Sequence, residues 1–166
     1  MKTKAVIFDL DGTLLDSMHI WQSMNFTSIA KAYAKEVVLK PGVREFLEHL
    51  HKNKTRMVLA TATDRHLMES ALHRLKIYDF FEGIFTCSEV GSSKHRPVIY
   101  EKAAELLGLE NSEVWVFEDA YYAAKTAVAA GFRVAVIYDK WEYMHFTEQL
   151  GEVYIKDYRK IDLSMW

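Results

Sequence analysis

Two carboxylic acids two positions apart, Asp9 and Asp11, close the apolar run Ala5-Val6-Ile7-Phe8 and open a turn through Gly12 and Thr13. A second acidic pair, Glu118 and Asp119, closes another apolar run far downstream; between the pairs, Thr61 ends a third run and Lys94 lies in the loop after a fourth. Acids this close at the end of a buried strand repel each other and lose hydration, at a cost of several kcal/mol unless a cation sits between them. A hard, oxygen-seeking ion such as Mg²⁺ meets that need. Taken singly, each residue has a plainer role: a DG turn, a strand-end hydroxyl, a solvated loop lysine, an acid pair complementing a helix dipole.

To act together these residues must be carried to one place. Ala5 to Phe8, Thr55 to Thr61, Gly83 to Thr86, Glu113 to Phe117 and Arg133 to Ile137 read as short parallel strands buried on both faces, and Val153 to Ile155 as a final edge strand. Helical patterns lie between them. Pro41-Gly42 opens one with Val43, Phe46, Leu47 and Leu50 on a single face, and Asp64 caps another built on Leu67, Met68, Ala71, Leu72 and Leu75. A third runs from about Pro97 to Leu107 and stops at Gly108, an alanine-rich fourth stops at Gly131, and Trp141 to Leu150 reads as amphipathic. Strands alternating with helices predict an α/β fold, a doubly wound parallel sheet with right-handed crossovers. Such sheets bind ligands at the carboxyl ends of their strands, where Asp9, Asp11, Thr61, Glu118 and Asp119 fall.

At 166 residues, half of them hydrophobic, the chain is one domain by length. Its 21 Lys+Arg against 23 Asp+Glu, with no long run of either sign, argue against nucleic acid as a partner. Cys87 is the single cysteine, so no disulfide framework is expected; it reads as a small buried hydrophobe in a reducing compartment. The apolar run near the start is too short for a signal peptide and no stretch is long enough to span a bilayer, so a soluble, cytoplasmic protein with no membrane partner is expected. The histidines show no ligand spacing around a common site, and zinc is not expected. Trp141, Tyr143, Phe146, Tyr154 and Trp166 read as late packing onto the core.

The stretch Asp9-Leu10-Asp11-Gly12-Thr13-Leu14, followed in order by Leu59-Ala60-Thr61, Lys94 and Glu118-Asp119, resembles the motif set of the haloacid dehalogenase-like hydrolases, and within them the phosphatase branch similar to β-phosphoglucomutase. The resemblance runs from Lys4 to about Tyr138. It implies a Rossmann-like core and a Mg²⁺-dependent phosphatase acting on a small organic phosphate. By that resemblance Asp9 is the nucleophile that becomes an aspartyl phosphate, and Asp11 is the general acid and base. Thr61 and the backbone N–H of Ala62 bind the phosphoryl oxygens, and Lys94 steadies nucleophile and phosphate. Asp9, the backbone carbonyl of Asp11, Glu118 and Asp119 hold Mg²⁺. Four acids and a phosphate dianion then face only Mg²⁺ and Lys94, which favours a protonated Asp11 when substrate is bound.

One departure is large. Relatives with these flanks carry a cap of several helices between the first motif and the second strand, whereas here only residues 17–40 intervene. They read as two short helices broken near Asn25-Phe26-Thr27, with Asn25 or Thr27 as N-cap. The expectation is a single core domain over residues 1–166 with a reduced helical cap at 17–40. Its open crevice leaves Trp21, Met24 and Phe26 exposed for a large substrate or for self-association. Locally, Lys94-His95-Arg96-Pro97 replaces the family's Lys-Pro-x-Pro, and Ala120 and Ala123 stand where Ser and Gly are usual. Two other functions use the same residues: a phosphomutase or phosphotransferase, and a metal- and phosphate-binding module of weak catalytic power.

Overall fold

Strand β1 (Ala5–Phe8) is buried along its whole length because both of its faces find apolar partners, Val6 and Phe8 on one side and Ala5 and Ile7 on the other. It lies at the centre of a computed structural model that describes residues 3–23, 25–142 and 149–166. The other strands are β2 (Arg56–Thr61), β3 (Gly83–Thr86), β4 (Val114–Glu118), β5 (Arg133–Ile137) and β6 (Val153–Ile155). All pair in parallel, in the order β3-β2-β1-β4-β5-β6. The predicted doubly wound sheet is therefore the fold, and the order reverses between β1 and β4. That reversal opens a crevice beyond their carboxyl ends.

On the face of Val6 and Phe8 lie α2 (Phe26–Lys35), α3 (Val43–Lys52) and α4 (Arg65–Arg74). On the face of Ala5 and Ile7 lie α6 (Val98–Leu107) and α7 (Tyr121–Ala129). Two short helices, α1 (Met18–Ser23) and α5 (Cys87–Val90), stand at the crevice side of the chain order, directly after the β1 turn and after β3. None of the described helices is long and apolar enough to cross a membrane.

Several local expectations resolve in physical terms. The Asn25 side chain caps α2, accepting from the Ser28 N–H at 3.0 Å. Gly108 ends α6 in the left-handed region at φ +63°. Asp64 occupies the N-cap position of α4 but makes no capping bond, because its Oδ1 accepts from Ser88 Oγ at 2.5 Å instead. Cys87 is half-buried rather than buried, since it opens α5. Of the late aromatics, Trp166 packs into the core, Tyr154 is exposed, and Trp141 turns to a cavity described below. Tyr143, Phe146, Met24 and most of the 141–150 pattern lie outside the described residues.

The core beside β1 is held by aromatic contacts around Phe46 of α3, whose ring lies 6.3 Å from Phe8, 5.6 Å from Phe117, 5.5 Å from Tyr158 and 5.8 Å from Trp166. These residues fix α3 and the C-terminal turns against β1 and β4. Phe46→Ala is expected to lower stability by about 3 to 5 kcal/mol, measured as a lower urea midpoint with an unchanged denaturant slope.

Candidate active site

The turns after β1, β2 and β4 and the loop before α6 meet at a cavity of about 300 Å³. Asp9, Asp11, Thr61, Ala62, Lys94, Glu118 and Asp119 all line it, with Met18, Trp21, Thr63, Ala120, Tyr122, Trp141 and Glu142. The seven residues given catalytic, phosphate-binding or metal roles from the sequence thus lie around one cavity at the sheet edge.

Its electrostatics centre on Lys94, which is buried and donates to Asp9 Oδ1 and, at 2.5 Å, to Glu118 Oε1. The Tyr100 hydroxyl donates to the same Glu118 oxygen at 2.7 Å. Burial pulls the ammonium of Lys94 down, but the carboxylates of Asp9 and Glu118 outweigh it and hold the group above its ordinary value. The acids pay the reverse penalty. Burial, and then the charge of Asp9, push Glu118 up to about 7, and burial followed by Asp9 and Glu118 hold Asp119 well above the usual carboxylate range.

One ammonium does not offset three acids. Asp9, Glu118 and Asp119 are all buried, and each offers an oxygen within 4.8 Å of the others'. Hard oxygen donors carrying excess negative charge, with no thiolate or imidazole among them, fit a hard divalent cation. Gly12 makes the arrangement possible: at φ +86° it occupies the left-handed region, and a Cβ there would lie 2.1 Å from Asp119 Oδ2. Thr13 Oγ1 also donates to Asp119 Oδ1, at 3.2 Å.

Asp11 has a different environment. Ser17 Oγ donates to its Oδ1 at 2.5 Å, the Tyr33 hydroxyl donates to the same oxygen, and Thr63 Oγ1 donates to Oδ2 at 2.6 Å. Burial raises the Asp11 carboxyl above its ordinary value; the bonds from Ser17, Thr63 and Tyr33 act in the opposite direction, and the neighbouring Asp9 adds to the rise. Thr61 is fully buried and accepts from the Thr63 N–H at 3.0 Å, which leaves its own O–H to donate into the cavity. Exposed Ala62 follows it at the rim.

Sequence reasoning missed Ser17, Tyr33, Thr63, Tyr100, Tyr122 and Trp141. A tyrosine on the buried face of a helix signals that its hydroxyl needs a partner, but nothing in the spacing of Tyr33 or Tyr100 says which partner it meets. Trp21 and Phe26 are exposed by 39% and 61%, as expected, yet Trp21 lines the cavity and its Nε1–H donates to the Tyr33 hydroxyl at 2.8 Å. His95 stacks on Tyr122 with ring centroids 4.3 Å apart.

A model of the haloacid dehalogenase-like hydrolase family matches residues 29–131, which include Thr61, Lys94, Glu118 and Asp119 and begin after the β1 turn. The chain is 32% identical over 124 residues to a phosphorylated carbohydrates phosphatase of Thermotoga maritima, a match covering 71% of this chain and 57% of that one. It is 33% identical over 104 residues to the protein CbbY of Rhodobacter capsulatus, covering 61% of this chain and 46% of the relative. It thus spans about half the length of the curated relatives it matches. In fold it is similar to CbbY from Rhodobacter sphaeroides, solved in complex with phosphate, with a TM-score of 0.83 at 16% identity over 97% of each chain.

The raised Glu118 sets the sign of a pH effect. A carboxyl at about 7 when folded, against an ordinary value near 4.3 when unfolded, contributes stability that is fully present below the unfolded value and lost as pH rises through the folded one. Metal-stripped protein is therefore expected to show a falling urea midpoint from pH 5 to pH 8, and Glu118→Gln is expected to flatten that slope.

Proposed function

The chain belongs to the haloacid dehalogenase-like hydrolase family, and from that premise we propose that it is a Mg²⁺-dependent phosphatase cleaving a small organic phosphate monoester through an aspartyl phosphate on Asp9. The observation that carries this is the convergence of Asp9, Lys94, Glu118 and Asp119, with Asp11 and Thr61 beside them, on one cavity.

Lys94 holds Asp9 Oδ1, which leaves the other carboxylate oxygen to attack phosphorus in line. The Thr61 hydroxyl and the backbone N–H of Ala62 take the phosphoryl oxygens, and Lys94 offsets part of their charge. Asp11 gives its proton to the leaving oxygen, then withdraws one from the water that hydrolyses the aspartyl phosphate. Asp9, the Asp11 carbonyl, Glu118 and Asp119 would hold Mg²⁺, with Glu118 also anchoring Lys94. When bound, the ion supplies positive charge that the four acids and the phosphate otherwise lack.

Residues 17–40 act here as a reduced cap that contributes Met18 and Trp21 to the cavity wall. Trp21 and Tyr122, both exposed, and Trp141 line a cavity of about 300 Å³, which suits a small ester with a ring or carbon chain against them. Water can reach such a site, and that favours hydrolysis over transfer to a sugar hydroxyl.

Wild-type protein with Mg²⁺ is expected to release inorganic phosphate from p-nitrophenyl phosphate, to stop when EDTA is added and to recover when Mg²⁺ is restored. Asp9→Asn is expected to abolish turnover with an unchanged circular dichroism spectrum. Full activity in that variant would rule Asp9 out as nucleophile, and a bisphosphate product from a sugar monophosphate would replace hydrolysis by transfer.

A further inference from the structure

Tyr33 is fully buried on the inner face of α2, beside Ile29 and Ala32, yet it carries a hydroxyl. Burying a phenol is costly unless its oxygen is satisfied, and here it is satisfied on both sides. The Trp21 indole N–H donates to it at 2.8 Å, and it donates in turn to Asp11 Oδ1. The two rings meet edge to face with centroids 6.1 Å apart.

We propose that Tyr33 is a positioning residue for phosphoester cleavage: held by Trp21, it occupies Asp11 Oδ1 and so directs the transferable proton to Oδ2, from which it passes to the leaving group. The claim rests on the phosphatase assignment above. Among the described residues Oδ1 accepts two hydroxyls, from Ser17 and Tyr33, and Oδ2 accepts only Thr63. A carboxyl oxygen has about two acceptor sites, so Oδ2 is the one with room for a proton.

The support is rigid. Arg74 of α4 donates to the Tyr33 backbone carbonyl at 3.1 Å and to that of Val37 at 2.6 Å, which pins the end of α2. Trp21 also forms part of the cavity wall, so a leaving group resting on its face sits on the residue that orients Tyr33.

The step balances. An Asp9 oxygen bonds to phosphorus, the bond from phosphorus to the leaving oxygen breaks with its electron pair going to that oxygen, and the proton of Asp11 Oδ2 moves onto it. Asp11 is left as a carboxylate accepting three hydroxyls. An aryl leaving group needs little of that proton, whereas an alkyl leaving group needs it fully.

The test compares kcat/KM for p-nitrophenyl phosphate and glycerol phosphate in wild type, Tyr33→Phe and Trp21→Phe, because kcat/KM reports the first, leaving-group step. Tyr33→Phe is expected to lose about 10- to 100-fold on the alkyl ester while staying within about three-fold on the aryl ester, a part of the roughly 100- to 10,000-fold that general acid catalysis contributes. Trp21→Phe, which keeps a ring and removes the N–H, is expected to lose less in the same direction. Mg²⁺ binding followed by calorimetry should be unchanged in both. Equal losses on the two esters, or no loss in either variant, would overturn the proposal and leave the phosphatase assignment standing. A wild type inactive on both esters would overturn that assignment and this proposal with it.

Discussion

The mutual repulsion of buried carboxylates at the junction of β1 and β4 is the constraint from which the rest of the site follows. Asp9, Glu118 and Asp119 are each less than a tenth exposed and close enough for their oxygens to share one cation. Bringing them together costs folding free energy that Lys94 offsets only in part. Lys94 must therefore be buried too, and Tyr100 is needed to complete the coordination of Glu118. The three acids could hold a further positive charge.

The sheet makes this crowding possible. Parallel β1 and β4 are hydrogen-bonded neighbours in register, Phe8 opposite Phe117, so the residues after each emerge side by side. The Asp9 N–H donates to the Phe117 carbonyl at 2.9 Å, extending the ladder one residue beyond β1. Alternation along the strands sends Phe8 and Phe117 into the aromatic core around Phe46, and the same packing that stabilises the fold fixes the angle at which the acids leave the sheet. Gly12 then turns the chain sharply enough for Asp119 to occupy the space a side chain would take. Core and site share one backbone geometry.

How much of this was legible in the sequence depended on whether the signal was local. The strands were readable because their apolar runs are short and continuous, the acids and Thr61 because strand ends in such a sheet converge, and Lys94, eight residues beyond β3, only through the family resemblance. The hydroxyls around Asp11 were not. Ser17, Tyr33 and Thr63 come from separate stretches, and nothing in their spacing says that they meet; Tyr33 in particular fits a helical core face as well as a phenylalanine would. Asp64 shows the converse limit. It stands where an N-cap should, but a tertiary partner, Ser88, takes its oxygen, as side-chain competition for backbone donors allows.

Asp9 and Asp11 illustrate how one residue type is given two environments two positions apart. Asp9 is approached by an ammonium and shares its space with other acids. Asp11, two residues on, accepts from the neutral hydroxyls of Ser17, Tyr33 and Thr63, and burial raises its carboxyl. A charged partner suits a group that must remain an anion to attack or to hold a cation, whereas neutral donors can satisfy a carboxylate without preventing it from taking a proton. Pushing two neighbouring acids into unlike environments is how a site separates nucleophile from acid. Two of the three hydroxyls that make the difference, those of Ser17 and Tyr33, come from residues 17–40. Residues 17–40 therefore shape the surroundings of Asp11 as well as part of the cavity wall, through Met18 and Trp21.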